Sequence, residues 1–340
     1  MKSSSCPLWV VTSYYNPAGY RRRLENFRAF SRFLNAPLLV VELASEGKHQ
    51  LESGCCDRLI QLTGESHIWQ KERLLNIGID ALPPHVQYVA WIDCDVAFEN
   101  SRWVAQTIGH LETHGGLLQL FENVIHCPEH HHPERQDSLS SLDKDCLYTE
   151  RSGASVAAQG NYVLPDSIFR RAPGALHSKP TGNPPESPGH AWAARVAEVR
   201  QARIYDGNII GGGDSVLFHS AAGTLEASIQ RRIYSSTHAT HIRQWRASAE
   251  SAGLLNRLAF LDGTLIHFWH GDFAHRRYQQ RHRILFDAGY DPAVDIRLAP
   301  NLTWQWTQAG SRLAQQLRSY FLARNEDGLA PAINETRITL

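Results

Sequence analysis

No run of apolar residues in this chain is long enough to cross a membrane, and the opening stretch MKSSSCPLWVVTSYYNP lacks the apolar core of a signal peptide. Neither sign of charge is in excess. Lysine plus arginine number 34 and aspartate plus glutamate 34, so no net positive field draws the chain to nucleic acid. The six cysteines (Cys6, Cys55, Cys56, Cys94, Cys127, Cys146) form no CxxC pair and no disulfide framework. No internal repeat is visible. These absences predict a cytoplasmic protein with free thiols, no nucleic-acid partner and no transmembrane segment, while a peripheral membrane contact stays open. The composition is otherwise that of a globular protein, 42% apolar and 20% charged over 340 residues, enough for a sizeable core. Histidine is plentiful, at 18 residues, and clustered.

LWVVTSYY (8–15) is an apolar, β-branched and aromatic run that predicts a buried strand, and NPAG ends it. Residues 20–34 carry Leu24, Phe27, Phe30, Phe33 and Leu34 at helical spacing. PLLVVEL (37–43) predicts a second strand. Residues 68–82 predict a helix stopped by two prolines, and QYVAWIDCDVAF (87–98) a third strand. Strands with continuous apolar character alternating with helices predict an α/β fold, a mostly parallel central sheet flanked by helices. Farther on, residues 104–121 predict a helix and the short strand GLLQLF, 122–152 a long polar loop, and 179–189 a flexible Pro- and Gly-rich loop. Residues 191–199 predict a helix, GGGDSVLF a glycine turn entering another, and 263–273 a last strand and turn. Residues 276–289 predict a basic helix and 303–323 a C-terminal helix.

In parallel α/β sheets ligands bind beyond the carboxyl ends of the strands. Asp93 and Asp95 stand at such an end. Carboxylates there either hold a hard cation, Mn²⁺ or Mg²⁺, or point into water. WQKERLLNIGIDALPPHVQYVAWIDCDVAFENSRW (69–103) resembles the β-1,4-galactosyltransferases and related GT-A-fold glycosyltransferases: Trp69, Lys71, Leu74, Leu75, Asn76, Gly78, Asp93 and Asp95 match in order and spacing. Lys71 stands where the family has arginine, so its phosphate contact would be a point charge without a fork. Residues 189–218 are similar to the family's glycine-led segment and Gly-Gly-acidic turn, with Gly211, Gly212, Gly213 and Asp214. The family's tryptophan and second acid at that turn are missing. His267-Phe-Trp-His270-Gly271 matches the family's Met-x-x-His pair of metal ligands, with His267 in the methionine's place. Residues three apart on a straight strand face opposite ways, so joint ligation needs a bend after Phe268.

The resemblance implies a single GT-A domain over residues 1–325, with a nucleotide-binding half (1–120), an acceptor and metal half (121–300), and a C-terminal helix and tail (303–340). It implies a metal-dependent, inverting transferase that moves a hexose from a UDP-sugar donor to a hydroxyl of an unidentified acceptor. Asp95, His270, His267 and Asp93 would meet the cation, Mn²⁺ or Mg²⁺. Thr12, Tyr14, Tyr15, Asn16, Arg21, Trp69, Lys71 and Asp93 would meet the nucleotide sugar. Gly212, Gly213, Asp214 and Trp192 would line the acceptor or sugar side, with Asp214 the general base or merely a helix cap. Arg22, Arg276, Arg277 and Arg281 are further candidates for diphosphate. HCPEHHHPE (126–134) fits a flexible loop better than a zinc site. Three alternatives stay open: a haloacid dehalogenase-like phosphatase using Asp93 and Asp95, a nucleotidyltransferase, and a non-catalytic glycan-binding protein.

Overall fold

The computed structural model describes residues 5–65, 67–135, 146–159, 186–276 and 281–328. The chain opens with β1 (Leu8–Tyr15), α1 (Arg21–Phe33), β2 (Leu38–Ala44), β3 (Arg58–Thr63), α2 (Lys71–Asp80) and β4 (Tyr88–Ile92). These four strands pair in parallel, in the order β3-β2-β1-β4. The chain continues through β5 (Val96–Phe98), α3 (Trp103–His114), β6 (Leu117–Gln119), β7 (Asn123–His126), β8 (Tyr148–Ser152), α4 (Gly153–Ala157), β9 (Glu186–Ser187) and β10 (Ala191–Arg195). Next come α5 (Val196–Ala202), α6 (Gly213–Ala221), α7 (Leu225–Arg232), α8 (Ser236–Ser251), β11 (Leu258–Phe260) and β12 (Thr264–His267). It closes with α9 (Phe273–Arg276), α10 (Arg281–Asp287), α11 (Pro292–Asp295), β13 (Ile296–Leu298), β14 (Trp304–Trp306) and α12 (Ser311–Leu322).

Among the described residues the central sheet has seven strands, β11-β6-β10-β4-β1-β2-β3, and only β10 runs against its neighbours. The expected α/β architecture, mostly parallel and flanked by helices, is therefore present. Alternation along β1 builds its two faces. Trp9, Val11 and Tyr15 join the core under α2, with Leu74, Leu75 and Ile77, whereas Leu8, Val10 and Tyr14 join the core under α1, with Phe27 and Phe30. Gly78 lets α2 lie close on the sheet. A Cβ there would come within 2.5 Å of Val11 Cγ1 and 3.0 Å of Val41 Cγ2.

A second sheet, β5-β12-β7-β8-β9, stands beside the first. Residues 87–98 are two strands rather than one. β4 belongs to the central sheet and β5 pairs antiparallel with β12 in the second, so Asp93-Cys94-Asp95 is the turn by which the chain changes sheets. Residues 191–199 begin as a strand. Ala191, Ala193 and Ala194 are small enough for β10 to fit between β4 and β6, and this tertiary fit overrides alanine's helix propensity. The region read as loop at 122–152 contains β7 and β8. Their buried polar residues, His126 and Glu150, hide the strand pattern because they satisfy each other. Of the loop expected at 179–189, Glu186 and Ser187 pair with β8, and residues before 186 lie outside the described set. The predicted 303–323 helix is a short strand followed by α12, and the basic helix at 276–289 is α9 and α10, with 277–280 outside the described residues. The half-exposed edge strand β3 and the polar α8 were not anticipated. None of the six cysteines is in a disulfide. No helix among the described residues is long and apolar enough to cross a membrane.

The segment after α12 crosses back to the start of the chain. Asp327 accepts from the backbone N–H groups of Arg21 (3.1 Å) and Arg22 (2.8 Å), so it caps α1, whose own N-cap Tyr20 offers no side-chain bond. Glu326 is fully buried and ion-paired to Arg23 and Arg324.

Candidate active site

Asp95, His267 and His270 converge. His270 Nε2 lies 3.1 Å from Asp95 Oδ2 and 3.1 Å from His267 Nε2, which is 4.0 Å from Asp95 Oδ1. The bend that joint ligation requires is present: β12 ends at His267, and Gly271 takes φ +94°. The backbone is pinned on both sides, since Phe268 N–H donates to the Asp95 carbonyl and Cys127 N–H to that of His267. Burial holds both imidazoles well below their ordinary pKa, with His190 and His126 reinforcing this at His267, and Arg276 and His267 at His270. Both rings are therefore neutral at pH 7, the form that binds metal. Burial, then the charge of Asp93, pushes Asp95 up to about 7. Asp95 Oδ1 is buried and has no hydrogen-bond partner among the described residues. One carboxylate and two imidazoles with facing Nε2 atoms make a mixed nitrogen–oxygen donor set that suits a divalent transition metal, Mn²⁺ among them, better than the all-oxygen preference of Mg²⁺. Neighbouring ligands of such an ion lie about 3 Å apart when bonds of about 2.1 Å meet at right angles, which the two 3.1 Å contacts of His270 Nε2 match and the 4.0 Å from His267 Nε2 to Asp95 Oδ1 exceeds.

Asp93 turns the other way. Lys71 Nζ lies 2.5 Å from Asp93 Oδ1 and 2.7 Å from Asp214 Oδ2. Burial alone would lower the Lys71 pKa, yet the carboxylates of Asp214 and Asp93 raise it well above the ordinary value. Burial raises Asp93 despite Lys71, and His190 Nδ1 stands 3.8 Å from its other oxygen. The helix cap of α6 is Gly212, at φ +101°, and Asp214 makes no capping bond. The cap explanation of Asp214 therefore fails, while its place in the first helical turn holds. Gly213 faces the Glu72 carboxylate so closely that a Cβ would meet it at 2.3 Å. Glu72 accepts from Trp69 Nε1 (3.0 Å), and burial pushes its pKa up to about 8.

The remaining candidates scatter. Thr12 is buried in β1 and donates to the Ile92 carbonyl at 2.6 Å. Tyr14 packs edge-on to Phe27 and donates to Gln50 (2.8 Å), and Tyr15 packs edge-on to Phe321. Both rings sit in the core rather than presenting a face. Asn16 braces its own turn, donating to the Tyr20 carbonyl and accepting from Tyr20 N–H. Arg21 pairs with Glu25 at the surface, and Arg22 is buried against Trp269 and the carbonyls of Glu129 and His131. Trp69 lies parallel to Phe321 and under Arg324. Trp192 is fully buried, donating to the Pro188 carbonyl. Arg276 is buried against the His270 carbonyl, Arg281 near the Tyr320 hydroxyl, and Arg277 lies outside the described residues.

Residues 126–134 are structured. His126 ends β7, Cys127 is buried, and Pro133–Arg135 form a 3₁₀ turn. His132 and Glu134 approach Glu25 on α1, among Arg21, Arg22 and Arg135. Sequence reasoning missed Glu72, His126, Glu150, His190, Arg23 and Glu326. The adjacency of Glu72 to Lys71 and the clustering of histidines were available signals. Nothing in the sequence placed Glu150 or Glu326 here.

No family model and no curated protein matches this chain. Among solved structures it is similar to S. aureus TarS 1-349 in complex with UDP, at 13% identity and TM-score 0.31, over 65% of this chain and 55% of that one. It is also similar to a mycobacterial protein, at 12% identity and TM-score 0.38, over 88% and 82% of the two chains. A third is S. aureus TarS 1-349 in complex with UDP-GlcNAc, at 10% identity and TM-score 0.30, over 74% and 72%. This chain thus spans little more than half of the first of these. Likenesses this weak decide neither fold family nor activity.

Proposed function

We propose that this chain is a metal-dependent, inverting glycosyltransferase of GT-A type that transfers a hexose from a UDP-sugar to an acceptor hydroxyl. One observation supports it above the others: Asp95, His267 and His270 converge beyond the carboxyl end of β4, next to a second charged centre formed by Lys71, Asp93 and Asp214. Asp95, His267 and His270 would hold the cation. When bound, it supplies Lewis-acid stabilisation to the departing diphosphate.

The chain's own residues divide the rest of the work. Asp214 accepts the proton of the attacking hydroxyl, and Lys71 keeps Asp93 as its counter-ion when that happens. Gly189 lies beside Asp214, where a Cβ would make ordinary contact with Oδ2 at 3.5 Å, whereas a Cβ on Gly213 would collide with the Glu72 carboxylate. A phosphatase of the haloacid dehalogenase type would need Asp93 as nucleophile on the first strand. Here Asp93 follows the fourth strand in the chain and is engaged by Lys71. The UDP moiety and the hexose come from the motif resemblance at 69–103.

The deciding experiment incubates the protein with UDP-, GDP- and CMP-sugars and Mn²⁺, and follows release of the nucleoside diphosphate or monophosphate. UDP release, with inverted configuration of the product by NMR, is the expected result. Phosphate release without sugar transfer would overturn the proposal in favour of a phosphatase.

A further inference from the structure

The carboxyl end of β1 is where a parallel sheet receives its ligand, and here a turn from the far end of the described chain crosses it. Phe321, at the end of α12, packs edge-on to Tyr15. The Tyr20 hydroxyl donates to the Leu322 carbonyl and accepts from Asn325 N–H, both at 3.0 Å. Asn325 takes φ +44° and Gly328 φ +72°, and Gly328 N–H donates to the Asn325 carbonyl at 3.3 Å. Residues 325–328 thus form a tight turn with Glu326 and Asp327 at its tip. The turn lies flush on Gly271, where a Cβ would come within 3.0 Å of Glu326 Cα.

Both tip carboxylates fill positions suited to anions. Asp327 accepts from the backbone N–H groups of Arg21 (3.1 Å) and Arg22 (2.8 Å), at the N-terminus of the 13-residue α1, whose partial positive charge favours an anion. Glu326 is fully buried between two guanidinium groups. Arg23 donates to it from Nε and, at 2.8 Å, from Nη2, and Arg324 Nε stands 2.6 Å away. Arg23 is fixed to the end of β1, donating from Nη1 to the Tyr15 carbonyl at 2.9 Å. Glu326 does not exhaust the donors around it. Arg324 is 4% exposed, yet its Nη1 has no hydrogen-bond partner among the described residues. His270 Nδ1, also buried and without such a partner, stands 4.0 Å from Glu326 Oε2. Arginine forks and helix N–H groups are the donors that phosphate takes. Two adjacent carboxylates here stand where two linked phosphates would fit.

We propose that the turn at 325–328 is a built-in plug: Glu326 and Asp327 occupy an anion site made by Arg23, Arg324 and the N-terminus of α1, and a ligand's diphosphate takes that site by displacing the turn. Asn325 follows Arg324 directly, so rotation at Asn325 frees the tip and leaves Arg324 on α12. That the diphosphate belongs to a nucleotide sugar rests on the reading above; the plug does not.

The test uses the full chain and inorganic pyrophosphate in EDTA, which removes any binding through a cation. Calorimetry reports affinity, and amide hydrogen exchange at residues 325–328 reports the turn. The wild type is expected to bind pyrophosphate and, once saturated, to exchange the Asn325 amide faster. The double variant Glu326→Gln, Asp327→Asn keeps the shape of the turn and removes both charges. It should bind about tenfold or more tightly than wild type, because a closed state lowers apparent affinity by the fraction that is open. Adding Arg23→Gln should abolish that gain. A double variant that binds no tighter than wild type overturns the proposal, as does pyrophosphate bound with the exchange of the turn unchanged, or bound by neither protein. Were the double variant unfolded, exchange in the wild type would still decide. UDP with Mn²⁺ separates the two readings. UDP that binds without disturbing the turn overturns the plug and spares the transferase. A wild type that releases its turn to pyrophosphate and ignores UDP refutes the UDP-sugar reading and leaves the plug standing.

Discussion

Lys71 reaches Asp214, 143 positions away in the chain, with Nζ 2.7 Å from Oδ2, and so ties the start of α2 to the first turn of α6. Asp214→Asn keeps an oxygen for Lys71 and disturbs no cap, because Gly212 is the N-cap of α6. The fold should persist. If Asp214 is the general base, turnover should fall by about 10²–10⁴-fold with donor affinity nearly unchanged. Steady-state kinetics beside donor titration measure both, and wild-type turnover in the variant would remove Asp214 from the chemistry.

Cation dependence gives a second outcome. Asp95→Ala and His270→Ala each remove a donor from the converging set and should abolish Mn²⁺-dependent UDP binding in calorimetry. Circular dichroism should stay native, since both side chains lie in a turn and a bend between sheets. Turnover by the wild type that survives EDTA would contradict this role.

Acid sensitivity should trace to Glu326. Burial would raise its pKa, but Arg23 and Arg324 outweigh burial and lower it from 4.5 to about 2. A carboxylate depressed in the folded state stabilises fully above its unfolded pKa and loses that contribution as pH falls through the folded value. The contribution should therefore be complete above about pH 4.5, decline between 4.5 and 2, and amount to roughly 3 kcal/mol at most. Glu326→Gln should flatten this part of the stability profile. Urea midpoints of both proteins from pH 6 to 2.5 give the comparison, and parallel curves would show that Glu326 carries no such term.

Gly78→Ala should destabilise the protein even though alanine favours helix. Its Cβ would enter the Val11 side chain at 2.5 Å. Overpacking of this kind costs about 1–3 kcal/mol, against a propensity gain of about 1 kcal/mol. Denaturant unfolding measures the net loss, and a variant more stable than wild type would mean that α2 can lift off β1 freely.

The parts of the fold that bury continuous apolar runs were legible from composition alone. β1 has the sequence-based bounds, β2 lies one residue from them and α2 two to three, because their apolar residues keep strand or helix spacing. Legibility failed at β7 and β8, where polar residues are buried by partners distant in the chain. His126 and Glu150 read as loop because their partners are each other and His267. Ala191–Arg195 read as helix because its neighbours, Tyr88–Ile92 and Leu117–Gln119, cannot be inferred from alanines. At the candidate site, Asp95, His267 and His270 were legible from motif spacing. Thr12, Tyr14 and Tyr15 were named from the end of the first strand and Trp192 from the acceptor-side segment, and because both faces of the central sheet are covered, all four side chains are buried.

Asp327 caps α1 from the far end of the described chain, and Glu326 closes on Arg23 within the same helix. During synthesis α1 leaves the ribosome roughly three hundred residues ahead of its cap. At about 5–20 residues per second that delay lasts on the order of 15–60 s. For that interval the β1–α1–β2 unit must survive on apolar packing alone, with the first turn of α1 uncapped and Arg23 lacking its carboxylate. A chain stalled before residue 326 would thus be expected to hold a formed parallel sheet and an open edge at α1, the state in which chaperone binding or proteolysis has its opportunity.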